Sequence, residues 1–217
     1  MSRSQVIVRR TRVAVGRRLR AILRGTGPRP EALRRADFYR TFPVGPGDVV
    51  FFGDSITEGA EWHELFPDVA TRNRGIAEET SADLVDRLDT VVAGRPRKLF
   101  ILVGINDIVF GGSDEDLLAN YRTILDRCRS ESPETEVIVQ SILPAATELG
   151  ERIEAVNGRL ERLADECGAA FVSFRDAFAG PDGAMPDELS PDGIHLTGEG
   201  YRRWREVLAP HVSSTSG

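Results

Sequence analysis

The chain has 217 residues, of which 41% are hydrophobic and 29% are charged, and its formal net charge is −6. This length and composition predict one soluble globular domain with a full core, and they exclude a disordered or fibrous protein. No apolar run in the sequence approaches the roughly 20 residues that a membrane-spanning helix needs.

The charge is unevenly distributed along the chain. Residues 1–40 contain 12 Arg and two acidic residues, Glu31 and Asp37, and carry +10, whereas the rest contains 16 Lys and Arg against 32 Asp and Glu and carries −16. A basic arm therefore precedes an acidic domain, and the acidic surface argues against a nucleic-acid partner. We predict a basic extension over residues 1–42, a domain over residues 43–211 and a tail over residues 212–217.

The basic arm has the pattern of a helix with one apolar face. That face is formed by Val8, Val15, Leu19, Ile22 and Leu23. We favour a helix or tail packed on the acidic domain. The alternatives for residues 1–40 are a helix at a membrane surface, drawn to anionic lipid, and a targeting peptide. The run Val6-Ile7-Val8 is too short for a secretory signal. We therefore expect a cytoplasmic protein, which would be peripheral to a membrane if residues 1–40 form the membrane-surface helix.

From Asp48 onward, short apolar strands alternate with helices. In chain order the predicted elements are a strand over 49–52, a strand over 69–72, a helix over 81–92, a strand over 99–103, a helix from a Ser113 cap to about 129, a strand over 137–142, a helix over 151–166 ended by Gly168, a strand over 169–174 and a last helix capped by Thr197. This alternation predicts an α/β fold in three layers, with a five-stranded parallel sheet between helices.

In an open parallel sheet, ligands bind outside the carboxyl ends of the strands. Ser55 follows the first predicted strand in the segment Gly53-Asp54-Ser55. A serine at this position is a nucleophile if a base lies beside it, and otherwise a cap of the following helix. The segment alone leaves both readings open.

The chain offers three histidines as a base, namely His63, His195 and His211. Asp192 lies three residues before His195, with Gly193 between them. A turn there lets the carboxylate accept the imidazole Nδ1–H, which leaves Nε2 for a serine hydroxyl. This spacing favours His195 as the base over an ordinary loop histidine.

A serine activated by a histidine and a carboxylate attacks carbonyl groups, as in ester hydrolysis, and this chemistry also needs hydrogen-bond donors for the oxyanion that forms on the carbonyl oxygen. The side-chain amide of Asn106, the backbone N–H of Gly75 and the backbone N–H of Ser55 all follow predicted strands. Each also has a plain structural interpretation as a turn or cap residue.

Neither a metal nor another cofactor is expected. His, Cys and carboxylate residues form no cluster with metal-ligand spacing in the sequence. Cys128 and Cys167 fit no disulfide framework, and we interpret them as reduced, half-buried packing residues of helices.

Six residues are candidates for an acyl pocket, with ordinary packing as the equal alternative. They are Trp62, Ile108, Val109, Phe110, Leu143 and Pro144. Two bulky aromatic side chains and no long apolar lid favour a short acyl group, with acetyl as the first choice.

Four sequence blocks together resemble the SGNH (GDSL-type) esterases and lipases over about residues 43–211. The blocks are Gly53-Asp54-Ser55-Ile56-Thr57, Asn73-Arg74-Gly75-Ile76, Gly104-Ile105-Asn106-Asp107 and Asp192-Gly193-Ile194-His195-Leu196-Thr197. The pattern is most similar to the branch of the platelet-activating-factor acetylhydrolase catalytic subunits, whose bacterial members are often carbohydrate acetylesterases. The chain lacks the G-x-S-x-G elbow of α/β-hydrolases, because position 57 is threonine.

The resemblance implies a flavodoxin-like three-layer fold and a site without a cofactor. It implies Ser55 as nucleophile, His195 as base and Asp192 as the partner of the base, with Ser55, Gly75 and Asn106 as the oxyanion hole. The predicted function is hydrolysis of short-chain acyl esters, above all acetyl esters, of a carbohydrate or small molecule. The alternatives are a lysophospholipase or thioesterase at a membrane surface, an O-acyltransferase and, least favoured, a non-catalytic binding module. The sequence does not fix the oligomeric state and leaves open whether the chain forms a homodimer.

Overall fold

The structure is a computed structural model and describes residues 30–213. The chain divides into two compact units, the first ending at Thr41 and the second beginning at Phe42. The described part of the first unit is one helix, α1, Pro30–Thr41. Proline suits the first position of a helix, because its missing N–H needs no partner there. The helix predicted for the earlier part of the basic arm lies outside the described residues.

The second unit is built around a sheet of five parallel strands. The strands are β1 Val49–Gly53, β2 Thr71–Gly75, β3 Lys98–Leu102, β4 Glu136–Gln140 and β5 Ala170–Val172. Their order across the sheet is β2-β1-β3-β4-β5. Every residue of β1 and β3 is buried, as expected for central strands covered on both faces. The predicted three-layer α/β fold with a five-stranded parallel sheet is confirmed.

Helices cover both faces of this sheet. They are α2 Ser55–Glu58, α3 Trp62–Leu65, α4 Ser81–Arg87, α5 Asp89–Val92, α6 Ile105–Val109, α7 Asp114–Glu131, α8 Thr147–Cys167, α9 Arg175–Phe178 and α10 Gly198–Ser213. The predicted cap at Ser113 is confirmed, since its side chain accepts from Asp116 N–H at 3.1 Å. Gly168 ends α8 in the left-handed conformation, with φ of 74°. Within residues 30–213, no helix is long and apolar enough to cross a membrane.

Several predicted elements differ from the structure; among them, α8 begins at Thr147 and not at 151, and β5 ends at Val172 and not at 174. Two further differences concern β2 and the helix that follows it. The edge strand β2 lies at Thr71–Gly75 and not at 69–72, because its polar sequence gives no apolar signal. The helix predicted over 81–92 is two helices that meet at Leu88. At this junction the hydroxyl of Thr90 donates to the Arg87 carbonyl at 2.7 Å, a bond that competes with the helical ladder.

A cluster of aromatic rings joins the sheet to the last helix. Phe51 of β1 stacks on Trp62 of α3, with ring centroids 3.5 Å apart, and also on Phe100 of β3. Trp204 of α10 meets Trp62 edge-on at 5.1 Å, and its indole N–H donates to Gln140 Oε1 at 2.8 Å. The face of α10 that carries Trp204 therefore packs against α3 and the sheet.

A buried lysine fixes the amino end of the sheet. Lys98 is fully buried, and its Nζ donates to Glu136 Oε2 at 2.8 Å and to the His211 carbonyl at 2.7 Å. Lys98 thereby joins β3, β4 and the end of α10 at the amino edge of the sheet, opposite the carboxyl edge.

Candidate active site

The carboxyl ends of three neighbouring strands bring the predicted site residues to one edge. Gly53, the last residue of β1, pairs in register with Gly75 of β2 and Leu102 of β3. Ser55 begins α2 just after β1, and Asn106 lies in α6 just after β3. The structure therefore places Ser55, Gly75 and Asn106 on adjacent strand ends.

Glycine at position 53 allows the sharp turn from β1 into α2. A Cβ atom there would clash with the Leu102 carbonyl oxygen and with Thr57 Oγ1. The next residue, Asp54, caps the helix, because its Oδ1 accepts from Ile56 N–H at 3.1 Å. Asp54 is the N-cap, so Ser55 is the first helical residue and not the cap that sequence left open.

A continuous chain of hydrogen bonds joins Ser55 to His195 and Asp192. Ser55 Oγ lies 3.0 Å from His195 Nε2, and His195 Nδ1 lies 2.7 Å from Asp192 Oδ2. Because a carboxylate only accepts, Nδ1 carries the proton and Nε2 accepts from the serine hydroxyl. Asp192 accepts hydrogen bonds from both the ring and the backbone N–H of His195. These bonds, the ring's above all, hold the pKa of Asp192 well below its ordinary value. Asp192 is thus a carboxylate, and Nε2 of His195 faces the Ser55 hydroxyl as a hydrogen-bond acceptor.

The loop before α10 holds Asp192 and His195 in this orientation. Asp192 Oδ1 accepts from His195 N–H at 2.7 Å and lies 3.3 Å from the buried hydroxyl of Ser190. The Thr197 hydroxyl donates to the Glu188 carbonyl at 2.7 Å and also caps α10, as predicted. The carboxylate is therefore fixed from its own loop, in part by Ser190, which the sequence did not single out.

Gly75 is a point of close packing between β2 and α2. A Cβ atom on Gly75 would clash with the backbone of Glu58. Its N–H donates to Asn73 Oδ1 at 2.9 Å, while Asn73 Nδ2 donates to the carbonyls of Glu58 and Ala60. The predicted role of Gly75 as an oxyanion donor therefore requires its bond to Asn73 to break.

Asn106 is tied to a strained loop that follows β2. Its Nδ2 donates to the Glu79 carbonyl at 2.9 Å, which uses one of the two N–H groups of the amide. Glu78, the residue before Glu79, has φ of 58°, a left-handed conformation that costs a non-glycine residue about 1–2 kcal/mol. Ala77 N–H, on the other side, donates to the Glu58 carboxylate at 2.5 Å. Such strain, held from both sides, is typical of functional sites. No residue preference in the sequence predicts it.

Charged side chains form a partly buried layer behind the site. Asp107 Oδ2 accepts from Ser81 N–H at 2.8 Å, and its Oδ1 accepts from the Ser81 hydroxyl at 2.7 Å. Arg87 pairs with Glu79 at 2.6 Å and donates to the Gly53 carbonyl at 3.0 Å. The ends of β1, α4 and α6 are thereby fixed relative to one another.

The six residues predicted for an acyl pocket fall into two groups. Trp62, Ile108, Leu143 and Pro144 are buried. The ring of Trp62 belongs to the aromatic cluster. At the end of α6, Val109 and Phe110 have 48% and 43% of their surface exposed. Only these two present substantial apolar surface to solvent, and the acyl pocket stays a prediction.

The two cysteines lie outside this site. Cys128 is fully buried in α7, deeper than the half-buried position predicted, and burial raises the pKa of its thiol to about 12. Cys167 is half-buried at the end of α8. Among residues 30–213, no group of three His, Cys, Asp or Glu side chains is arranged to hold a metal ion.

Comparison with known proteins gives a consistent result. The sequence profile of the GDSL-like Lipase/Acylhydrolase family matches residues 51–203. A protein from Streptococcus pneumonia, provisionally named a platelet activating factor, is 28% identical, with a TM-score of 0.78 over 84% of this chain and 92% of that one. A GDSL-like lipase from Bacteroides thetaiotaomicron is 25% identical, with a TM-score of 0.74 over 83% and 96% of the two chains.

A more distant likeness shows the fold alone. The acetylxylan esterase Axe2 from Geobacillus stearothermophilus is 18% identical, with a TM-score of 0.64 over 79% of this chain and 97% of that one. No curated protein sequence matches the chain.

The family match covers well over half of the chain and spans the segments that carry Ser55, Asn106, Asp192 and His195. The resemblance recognised from the four sequence blocks is therefore confirmed. The chain belongs to the GDSL-like lipase/acylhydrolase family and is a carboxylic ester hydrolase.

Proposed function

We propose that Ser55 is the nucleophile of this hydrolase, with His195 as its base and Asp192 as the partner of the base. The observation that carries the proposal is the hydrogen-bond chain in which Ser55 Oγ lies 3.0 Å from His195 Nε2 and His195 Nδ1 lies 2.7 Å from Asp192. Serine is a weak nucleophile unless a base takes its proton, and this geometry supplies the base.

The reaction then proceeds in two steps through an acyl-enzyme. His195 Nε2 takes the proton of Ser55 as Oγ attacks the ester carbonyl carbon, and the imidazolium returns that proton to the departing alcohol. Water, deprotonated by His195, attacks the acyl-enzyme. The tetrahedral intermediate then collapses, Ser55 recovers its proton, and the carboxylic acid leaves. Asp192 holds the imidazole in the required tautomer throughout.

The oxyanion is stabilised by donors at the ends of adjacent strands. Ser55 N–H lies at the first position of α2, where a backbone donor has no acceptor within its own helix. Asn106 has a second amide N–H beyond the one it donates to Glu79. Gly75 is the third donor of the proposal, once its N–H leaves Asn73.

Asn106→Ala is expected to lower kcat by about 10²–10³, the usual loss for one oxyanion donor. KM is expected to change little, because the donor acts on charge that develops only in the transition state. Steady-state kinetics on p-nitrophenyl acetate checks this. Asn120→Ala, which removes an amide bound to the Ser81 hydroxyl, is the matched control. A loss confined to KM would remove Asn106 from the oxyanion hole.

For the substrate, we propose a short acyl ester, acetyl before others, of a carbohydrate or small molecule. Four of the six acyl-pocket candidates are buried, so of this set only Val109 and Phe110 offer substantial exposed apolar surface. Two side chains can cover a short acyl group. They cannot bury the many CH₂ groups of a long one, each of which would contribute about 0.8 kcal/mol if it were buried.

Hydrolysis of p-nitrophenyl esters from acetyl to palmitoyl tests this substrate class. We expect kcat/KM to be highest for acetyl and to fall with chain length. The Ser55→Ala variant gives the background rate for each ester. A maximum at a long chain would favour a lipid-active enzyme, and transfer of the acetyl group to an added sugar in preference to water would favour an acyltransferase.

A further inference from the structure

Asp54, the residue before the proposed nucleophile, is a fully buried carboxyl group. Its Oδ1 accepts from Ile56 N–H and so caps α2. Its Oδ2 is buried and has no hydrogen-bond partner within residues 30–213. A carboxylate has room for about four donors, and an ionised one without them is costly in a protein interior.

The surroundings of Asp54 are more acidic than basic. The charged and titratable groups that interact with it or lie beside it are Asp107, Glu79, Arg87, His195, Tyr121 and Tyr201. Of the cationic candidates, Arg87 is already paired with Glu79 and His195 with Asp192. The net result is a pKa of Asp54 raised to about 7: burial raises it most, the hydrogen bond from Ile56 lowers it, and the charges of Asp107 and Glu79, which raise it, are partly offset by that of His195.

We propose that Asp54 is a positioning residue that holds Ser55 in place as a neutral carboxylic acid, and that its ionisation weakens the site. The inference rests on the proposed role of Ser55. A neutral acid keeps the Oδ1 acceptor that caps α2, and it leaves Oδ2 without the demand of a full charge. An ionised Asp54 places a buried negative charge next to the developing oxyanion, which opposes that oxyanion.

The same state of Asp54 makes the stability of the fold depend on pH. In the unfolded chain this carboxyl titrates near 3.8, and in the folded chain its pKa is about 7. Between these values the folded state retains a proton that the unfolded state has lost. The free energy of unfolding therefore declines as the pH rises through this window, and the decline ends above the folded pKa. Asparagine cannot ionise, so Asp54→Asn removes this dependence.

The test compares kcat and stability of the full-length wild type with those of the full-length Asp54→Asn variant, in which the side-chain oxygen that caps α2 is kept. We expect the variant to retain most of its kcat at about pH 5.5. The ratio of variant to wild-type kcat should then rise by up to about thirtyfold by about pH 8.5, with KM unchanged, since the neutral fraction of a carboxyl group falls about tenfold per pH unit above its pKa. Across about pH 4–7, the urea midpoint of the wild type should fall relative to that of the variant.

The control is Asp48→Asn, which changes another buried carboxyl at the opposite end of β1. Asp48 Oδ2 has two partners, Gly45 N–H at 2.7 Å and Arg72 Nε at 3.0 Å, and lies far from the nucleophile along the strand. Its kcat ratio to the wild type should stay constant with pH. A constant ratio for Asp54→Asn as well, with an equal loss at every pH, would overturn the inference and leave Asp54 a cap or a required anion.

A measurement on the unchanged protein covers the case in which Asp54→Asn does not fold. The Asp54 carboxyl carbon should titrate near neutral pH in carbon-13 NMR, and an ionised signal already at about pH 5 would overturn the inference. Failure of the proposed function is recognised separately, because then Ser55→Ala retains activity. With Ser55→Ala inactive and no neutral titration of Asp54, only the present inference fails.

Discussion

Ser55→Ala is expected to abolish ester hydrolysis and leave the fold intact. The change removes the Oγ atom that lies 3.0 Å from His195 Nε2 and is proposed to form the acyl-enzyme. Loss of a serine nucleophile lowers kcat by a factor on the order of 10⁶. Ser55 is only half-buried at the start of a four-residue helix, so the free energy of unfolding should change little. Kinetics on p-nitrophenyl acetate and urea unfolding measure the two quantities.

Labelling with a fluorophosphonate probe makes this test independent of the substrate. The wild type should be labelled at Ser55, and Ser55→Ala should not be labelled. Ser113→Ala is a suitable control, because Ser113 caps the exposed start of α7. That control should lose about 1 kcal/mol of stability and keep its activity. Labelling of another residue, or turnover by Ser55→Ala, would remove Ser55 from the mechanism.

Asp192→Asn is expected to lower kcat by about 10⁴, the next largest effect. Asp192 Oδ2 accepts from His195 Nδ1–H at 2.7 Å, and an amide nitrogen in that place donates instead. The imidazole would then carry its proton on Nε2, where it cannot take the proton of Ser55. The fold should persist, since 54% of the Asp192 side chain is exposed.

The matched control for Asp192 is Asp182→Asn on the same stretch of chain. Asp182 Oδ1 accepts from Ala184 N–H at 3.1 Å and has no contact with the imidazole. Its loss should leave kcat within a few-fold of the wild type, as is usual for exposed positions. An Asp192→Asn variant with more than about a tenth of wild-type kcat would contradict the proposed tautomer control.

Much of the fold follows from apolar patterns along the chain. β1 and β3 are continuous apolar runs, which is the pattern of strands covered on both faces, and both are found where predicted. The edge strand β2 reads Thr-Arg-Asn-Arg-Gly and begins two residues later than the apolar pattern of the chain predicts, because pairing with β1 and not hydrophobicity makes it a strand. The break at Leu88 coincides with a side-chain hydrogen bond to the backbone, which periodicity does not report.

In the candidate site, too, contacts within one short segment can be predicted from the sequence, whereas contacts between separate segments cannot. Asp192 and His195 are three residues apart, so their hydrogen bond follows from one short turn, and the order of strands brings Ser55 to them. The occupied N–H of Gly75, the strained backbone of Glu78 and the buried state of Asp54 depend on how separate segments pack. Sequence patterns carry no distances between such segments, and these features required the structure.

The placement of Asp192 and His195 on one loop has a consequence for thermal inactivation. A single opening of this loop removes the base and its carboxylate together, and it need not disturb the sheet or the serine at its edge. Local openings of exposed loops require less free energy than global unfolding. On heating, the enzyme should therefore lose turnover reversibly in one step, at temperatures where circular dichroism still reports a folded chain.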